Sequence, residues 1–243
     1  MLNIAHRGFK GSYPENTMLA FRKAVEVGAD GVEFDVHLTK DGHLVIIHDE
    51  NLIRTCGVDV LVKDLSLAEL KKYDAAFAYE AYHEEIPSLR EYFAYAKDLD
   101  LVTNIEIKNG LYFYEGIEEK LYALIKEYSM EDKVIISSFN HQSILRMKEL
   151  DDSLALAFLE ESILVDPISY LKDNAIKIYH PIAQTFDKSL VDKFHEEGIT
   201  VNAWTSDKVP YNFKELNDIG FDAIISDYPD RFVRELGQGK GNI

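Results

Sequence analysis

The sequence predicts an α/β fold, a closed (β/α)8 barrel with a small insertion after the second strand region. Three observations carry that reading. Short β-rich apolar runs alternate with longer amphipathic stretches along all 243 residues. Eight such runs repeat once a hairpin arm is set aside. The length suits a single barrel of about 250 residues, built from parallel strands with right-handed crossovers. An open doubly wound sheet is the structural alternative.

The strands are expected at residues 2–5, 31–38, 101–107, 134–137, 154–159, 176–179, 199–204 and 223–225. In 31–38, Glu33, Asp35 and His37 alternate with Val32, Phe34 and Val36, the period of a strand. Lys40-Asp41-Gly42 then turns the chain into a short arm at 44–47, as a hairpin. The first helix is expected at 15–27, after the Pro14 turn, from the spacing of Met18, Leu19, Phe21, Ala24 and Val25. Further helices are expected at 88–99, 114–128, 142–150, 163–173, 188–197 and 210–219; Glu197-Gly198 closes one and Ser206-Asp207 opens toward another. Residues 50–87 are too many for a simple loop and read as an insertion over one rim of a single domain spanning 1–243. The tail Gly237-Gln238-Gly239-Lys240-Gly241 reads as flexible.

Composition narrows the function classes. Hydrophobic residues make up 47% and charged residues 28%, which excludes a disordered chain, a fibre and a membrane bundle. The formal net charge of −17 repels polyanions and anionic lipid, so neither nucleic acid nor a stable membrane association is expected. A small anionic substrate remains compatible, since a site can be locally positive. The single cysteine, Cys56, reads as a small buried residue and permits no internal disulfide. With no apolar run of about 20 residues and no leader-like N-terminus, a cytoplasmic monomer or homodimer is expected.

Three clusters carry chemistry, and all fall at C-terminal ends of strands, where such barrels build their active sites. They are His6-Arg7-Gly8, Glu33-x-Asp35 with the downstream His48-Asp49, and Glu106-x-Lys108. Glu33 and Asp35 share one face of a strand, and with Glu106 they make three carboxylates converging on a point. Oxygen-only ligands suit a hard cation, Ca²⁺ or Mg²⁺. His6 and His48 are candidates for proton transfer. Arg7 offers a planar fork for phosphate oxygens and Lys108 a point charge. A divalent ion with Arg7 and Lys108 would leave the three carboxylates about one positive charge in excess, which a phosphodiester would balance. Trp204, with Asn202 on its face, is a candidate wall for the alcohol portion. Glu160 and His180 also end strands. His37 shares the parity of Asp35 but is placed at the rim, and His43, His83, His141 and His195 read as solvated.

These motifs resemble a known family. His6-Arg7-Gly8, Pro14-Glu15-Asn16-Thr17, Glu33-x-Asp35, Thr39-Lys40-Asp41-Gly42 and His48-Asp49 are similar to the signature of the glycerophosphodiester phosphodiesterases. Glu106-x-Lys108, Trp204-Thr205 and Ser226-Asp227-Tyr228-Pro229 match its later blocks. The resemblance implies a TIM barrel, a divalent metal and hydrolysis of glycerophosphodiesters to sn-glycerol 3-phosphate and an alcohol. It implies Glu33, Asp35 and Glu106 as metal ligands, His6 and His48 as catalytic residues, and Arg7 and Lys108 as phosphate contacts. The alternatives are a phospholipase D-like enzyme acting on lysophospholipids, for which the aromatics Tyr73, Phe77, Tyr79 and Tyr82 would form the entry surface, and a non-catalytic barrel that binds phosphoesters. A zinc amidohydrolase would want a His-x-His pair on the first strand, which is absent.

Overall fold

The computed structural model describes residues 1–206 and 209–237. Nine strands form one sheet: β1 (Leu2–His6), β2 (Gly31–Leu38), β3 (Leu44–Ile46), β4 (Val102–Ile107), β5 (Val134–Ser138), β6 (Ala155–Leu159), β7 (Ile178–His180), β8 (Thr200–Trp204) and β9 (Ala223–Ser226). Eight are parallel and close on themselves, because β1 pairs with both β2 and β9. The fold is therefore the expected closed barrel. β3 is the hairpin arm, antiparallel to the end of β2, with Gly42 at φ +78° in the turn.

Ten helices fall between and after the strands: α1 (Met18–Glu26), α2 (Ile53–Cys56), α3 (Leu67–Leu70), α4 (Leu89–Ala96), α5 (Ile117–Tyr128), α6 (His141–Leu150), α7 (Pro167–Asp173), α8 (Lys188–Glu196), α9 (Phe213–Ile219) and α10 (Pro229–Leu236). Side-chain caps set several starts. Thr17, Ser88 and Asp187 accept from backbone N–H groups of α1, α4 and α8. The starts of α1, α5, α7 and α9 fall three or four residues later than expected. Asp166 caps α7 with Pro167 in its first turn, so Ile163 and Val165 belong to the exposed loop before it. Asn212, not Ser206-Asp207, caps α9; Asp207 lies outside the described residues, as do positions 238–241 of the tail. The sequence reading missed α10, although proline in its first turn and Gly237 at its C-cap, φ +66°, are the pair of signals that mark a helix.

The main core lies between barrel and helices. Phe34 points outward from β2 and packs on Phe21 of α1 and Tyr92 of α4, with ring centroids 5.4 and 4.6 Å apart. That packing fixes the parity of β2, so Glu33 and Asp35 must point into the barrel. Inside, Ile4, Ala223 and Ile225 form a small apolar floor. Gly31 makes room for it: a Cβ there would sit 2.6 Å from the Ile4 side chain and 2.7 Å from a backbone oxygen. Residues 50–87 hold α2 and α3 around a second small core of Val45, Leu52, Cys56, Val62, Leu70 and Ile86. Cys56 is buried there, and burial raises its thiol pKa. Among the described residues, no helix is long and apolar enough to cross a membrane.

Candidate active site

Strand register assembles the site. His6 lies beside Glu33 in the β1–β2 pair, and Asp35 beside Glu106 in the β2–β4 pair. One ligand oxygen from each of Glu33, Asp35 and Glu106 lies within 4.8 Å of the others, and all three side chains are buried. Lys108 donates to Glu106 at 2.7 Å and stands 3.3 Å from Asp35.

The turn after β1 is shaped for this cluster. Arg7 takes a left-handed φ of +51°, which aims its backbone N–H at Glu33 Oε2, 3.0 Å away. Gly8 follows at φ +75°, where a Cβ would sit only 2.8 Å from Ala20. The Arg7 guanidinium donates to Glu15 at 2.9 Å and lies 3.5 Å from Asp35. Asn16, also left-handed at φ +56°, donates its amide to Asp35 at 2.9 Å.

Each candidate histidine is held by a carboxylate. His6 Nδ1 donates to Asp227 Oδ1 at 2.6 Å, leaving Nε2 3.9 Å from Glu33. Lys10 donates to the other Asp227 oxygen at 3.1 Å. His48 Nδ1 donates to Asp49 at 2.6 Å. Arg54 then bridges Asp49 and Glu15, at 2.7–3.1 Å over four contacts. A chain of charges thus runs His48–Asp49–Arg54–Glu15–Arg7–Asp35. His37 does not reach the cavity. It is buried between the Tyr114 hydroxyl at 3.0 Å and the His48 carbonyl at 3.1 Å, where it fixes the backbone that carries His48.

The electrostatics follow from burial and charge. Burial, then Asp35 and Glu106, push the Glu33 pKa well above its ordinary value. Burial also raises Glu106, against the pull of Lys108. Burial acts upward on Asp35 too, but Lys108, Arg7 and His48 outweigh it and hold its pKa low. Burial lowers His6, partly offset by Asp227. Asp227 itself falls to about 2, because His6 and Lys10 outweigh its burial.

His6, Arg7, Lys10, Glu33, His48, Glu106, Lys108 and Asp227 line a cavity of about 470 Å³ at the C-terminal mouth, together with Asn104, Ser137, Phe139, Glu161, His180 and Trp204. Of the secondary candidates, His180 lines it, whereas Glu160 turns back and accepts the backbone N–H groups of Glu161 and Ser162 at 2.9 and 2.8 Å. Asn202 lies deeper, 3.2 Å from His180. His43, His83 and His195 are exposed, but His141 is half-buried, stacked on Phe158 at 4.0 Å and bonded to the Leu159 carbonyl. Sequence reasoning assigned no role to Glu15, Asn16, Asp49, Arg54 or Asp227. All but Arg54 lie inside the quoted motifs, which was the available signal.

The three carboxylates fit a divalent cation. The donor set is all oxygen, and Asp35 Oδ1 is buried with no hydrogen-bond partner. Three acids this close without a cation would repel one another, as the raised Glu33 shows.

Residues 6–231 match the model of the glycerophosphoryl diester phosphodiesterase family. The chain is 42% identical over 240 residues to a glycerophosphodiester phosphodiesterase of Caldanaerobacter subterraneus subsp. tengcongensis, covering 98% of each. It is 42% identical to one of Bacillus altitudinis, covering 95% of this chain and 96% of that one. A phosphodiesterase of Oleispira antarctica, solved with its product sn-glycerol 3-phosphate, superposes with a TM-score of 0.83 at 30% identity, over 97% of this chain and 96% of that one. The chain belongs to the glycerophosphoryl diester phosphodiesterase family and is a hydrolase of phosphoric diesters.

Proposed function

We propose that this chain hydrolyses glycerophosphodiesters to sn-glycerol 3-phosphate and a free alcohol, with Glu33, Asp35 and Glu106 holding a divalent cation, Ca²⁺ or Mg²⁺. The observation that carries the reading is the meeting of that buried triad with two carboxylate-held histidines in one cavity. When bound, the cation polarises phosphoryl oxygen and lowers the pKa of a coordinated nucleophile.

The chain's own residues do the rest. Asp227 and Asp49 hold the Nδ1–H of His6 and His48, which leaves each Nε2 for proton transfer, one histidine entering the reaction neutral and the other as imidazolium. One Nε2 accepts the proton of the attacking hydroxyl or water. As the new P–O bond forms and the P–O bond to the alcohol breaks, the other gives its proton to the leaving alkoxide. Lys108 and Arg7 offset charge on the phosphoryl oxygens. Their own carboxylate partners keep them fixed before substrate arrives.

The test is release of sn-glycerol 3-phosphate from soluble glycerophosphodiesters with Ca²⁺, with Mg²⁺ and with chelator. Turnover that requires the cation is expected. Full activity in chelator, or no release with either ion, overturns the reading.

A second reading has one observation in its favour. Leu111, Phe113, Ile163 and Val165 are 72–105% exposed on the loops after β4 and β6, at the mouth of the barrel. That apolar rim suits an acyl chain. Of the inserted aromatics, Phe77, Tyr79 and Tyr82 are exposed as well, while Tyr73 packs against the small core. Faster turnover of lysophosphatidylcholine micelles than of soluble glycerophosphocholine would favour a lysophospholipid substrate.

A further inference from the structure

The cavity has two chemically different walls. In the closed strand order, β6, β7 and β8 stand opposite β1, β2 and β4. The near wall carries His6, Arg7, Glu33, Glu106 and Lys108. The far wall carries Leu159 and Glu161 at and after β6, His180 and Ile182 at and after β7, and Trp204 at the end of β8, with Phe139 after β5 at its edge. A phosphodiester anchored by its phosphate at the near wall must send one substituent toward the far one.

From this geometry we infer that the far wall selects a cationic headgroup of the quaternary or primary ammonium type, with Glu161 as its counter-charge and Trp204 and Phe139 as its aromatic faces. The inference rests on the proposed activity and names its substrate class. Three observations support it. Glu161 is the one carboxylate on that wall, and among the described residues its carboxylate makes no hydrogen bond or ion pair. Phe139 is 46% exposed beside the cavity it lines, so its ring is available to a ligand. An aromatic face attracts an ammonium group, and more strongly an alkylated one that has shed water. Among the described residues that wall presents no competing cation: burial drops the His180 pKa to about 3, so that imidazole is neutral at working pH. A neutral glycerol or inositol headgroup would gain little from an unpaired carboxylate, and an anionic one would be repelled.

Glu161 is an exposed loop residue, so its replacement spares folding. Trp204 is the only tryptophan in the chain, so its fluorescence reports on the far wall without turnover. Choline is titrated against the protein, with the neutral isostere 3,3-dimethylbutanol as control. Saturable quenching by choline is expected, about tenfold weaker for the alcohol and for Glu161→Gln. In turnover, Glu161→Gln should lose about tenfold in kcat/KM for glycerophosphocholine while glycerophosphoglycerol stays within about twofold. Glu161→Lys should reverse the preference between them. An equal response to choline and its isostere, or equal loss on both substrates, overturns the inference. Glu161-dependent choline binding by a protein that releases no sn-glycerol 3-phosphate would leave the subsite standing and sink the activity instead.

Discussion

Replacing Glu33 by Gln should make the metal-free protein more stable and the metal-treated protein inactive. The side chain sits in a buried cluster whose ligand oxygens are within 4.8 Å of one another. At that distance, two like charges repel by about 3 kcal/mol at an effective dielectric of about 20. Arg7 and Lys108 offset part of this and the folded chain sheds the rest by keeping a proton on Glu33, so Gln, already neutral, spares the cost of that protonation, about 1–2 kcal/mol at one pH unit above 4.5. The Gln oxygen still accepts the Arg7 backbone N–H, so that bond survives. For a chain of this size the gain corresponds to a Tm increase of about 4 °C in chelator. The sign with pH is fixed as well. The folded chain holds a proton on Glu33 that the unfolded chain gives up above its ordinary pKa of 4.5. Metal-free stability therefore falls as pH rises past 4.5, and Glu33→Gln removes that fall. A cation at about 100 times its Kd adds about 2.7 kcal/mol to the wild type, and the variant should lose most of that gain. Differential scanning calorimetry, in chelator and with Ca²⁺ or Mg²⁺, reads both effects. A variant less stable than wild type in chelator, yet stabilised equally by the cation, would refute the account of the cluster.

Three further outcomes are expected. His6→Ala and His48→Ala should each reduce kcat by about 10²–10⁴-fold while leaving cation-induced stabilisation intact, measured by product release and calorimetry. Wild-type rates in both would discard the proton-transfer roles. Asp227→Asn should lower kcat by at least about 10²-fold with KM little changed, because the amide no longer enforces the Nδ1–H tautomer of His6. A change confined to KM would speak against it. His37 is held neutral, its pKa lowered by burial to about 4, so its contribution is complete above 6.5 and is lost as pH falls through that window. Urea unfolding at pH 7 and pH 4 should show an acid loss that His37→Gln reduces by about 3 kcal/mol, the remainder belonging to the other buried histidines, His6 and His180; an unchanged acid limb in the variant would exclude His37 as a source.

Some of this site was legible in the sequence and some was not, for a reason rooted in geometry. Glu33 and Asp35 could be read as neighbours because a strand alternates, and Phe34 between them had to face the helices. Glu106 and Lys108 followed by the same parity on another strand end. Asp227 could not be paired with His6 by any local rule, since only closure of β9 onto β1 brings positions 221 residues apart into contact. Arg54 is likewise fixed by the fold of the insertion, which delivers it between Asp49 and Glu15. Glu160 looked the better candidate as the residue ending its strand, but its short side chain is consumed by two backbone N–H groups of its own turn, and the next residue faces the cavity instead. His141 was misread because a histidine opening a helix carries no local sign of burial, whereas Phe158 and Tyr170 supply an aromatic shelf that only the packed structure shows.

The outer ring of charges explains how a protein of net charge −17 sustains three inward carboxylates. Each acidic group that contacts a histidine or an arginine at the mouth is itself shared with a second cation: Asp227 with Lys10, Asp49 and Glu15 with Arg54. Such sharing holds His6, His48 and Arg7 in single orientations at little entropic cost, because one fixed side chain orders two others. Without Arg54, Glu15 would keep only Arg7 and Asp49 only His48, and both would compete with Asp35 for positive charge. The excess that remains inside the cluster falls on Glu33, the carboxylate farthest from Lys108 in the pattern of contacts and the one pushed highest. That is where a divalent cation gains most by displacing a proton, so loading should release protons in proportion to pH below the raised pKa of Glu33. Calorimetry of cation binding in two buffers of different ionisation enthalpy measures that release directly, and a buffer-independent enthalpy at pH 5, just above the ordinary value of 4.5, would contradict it.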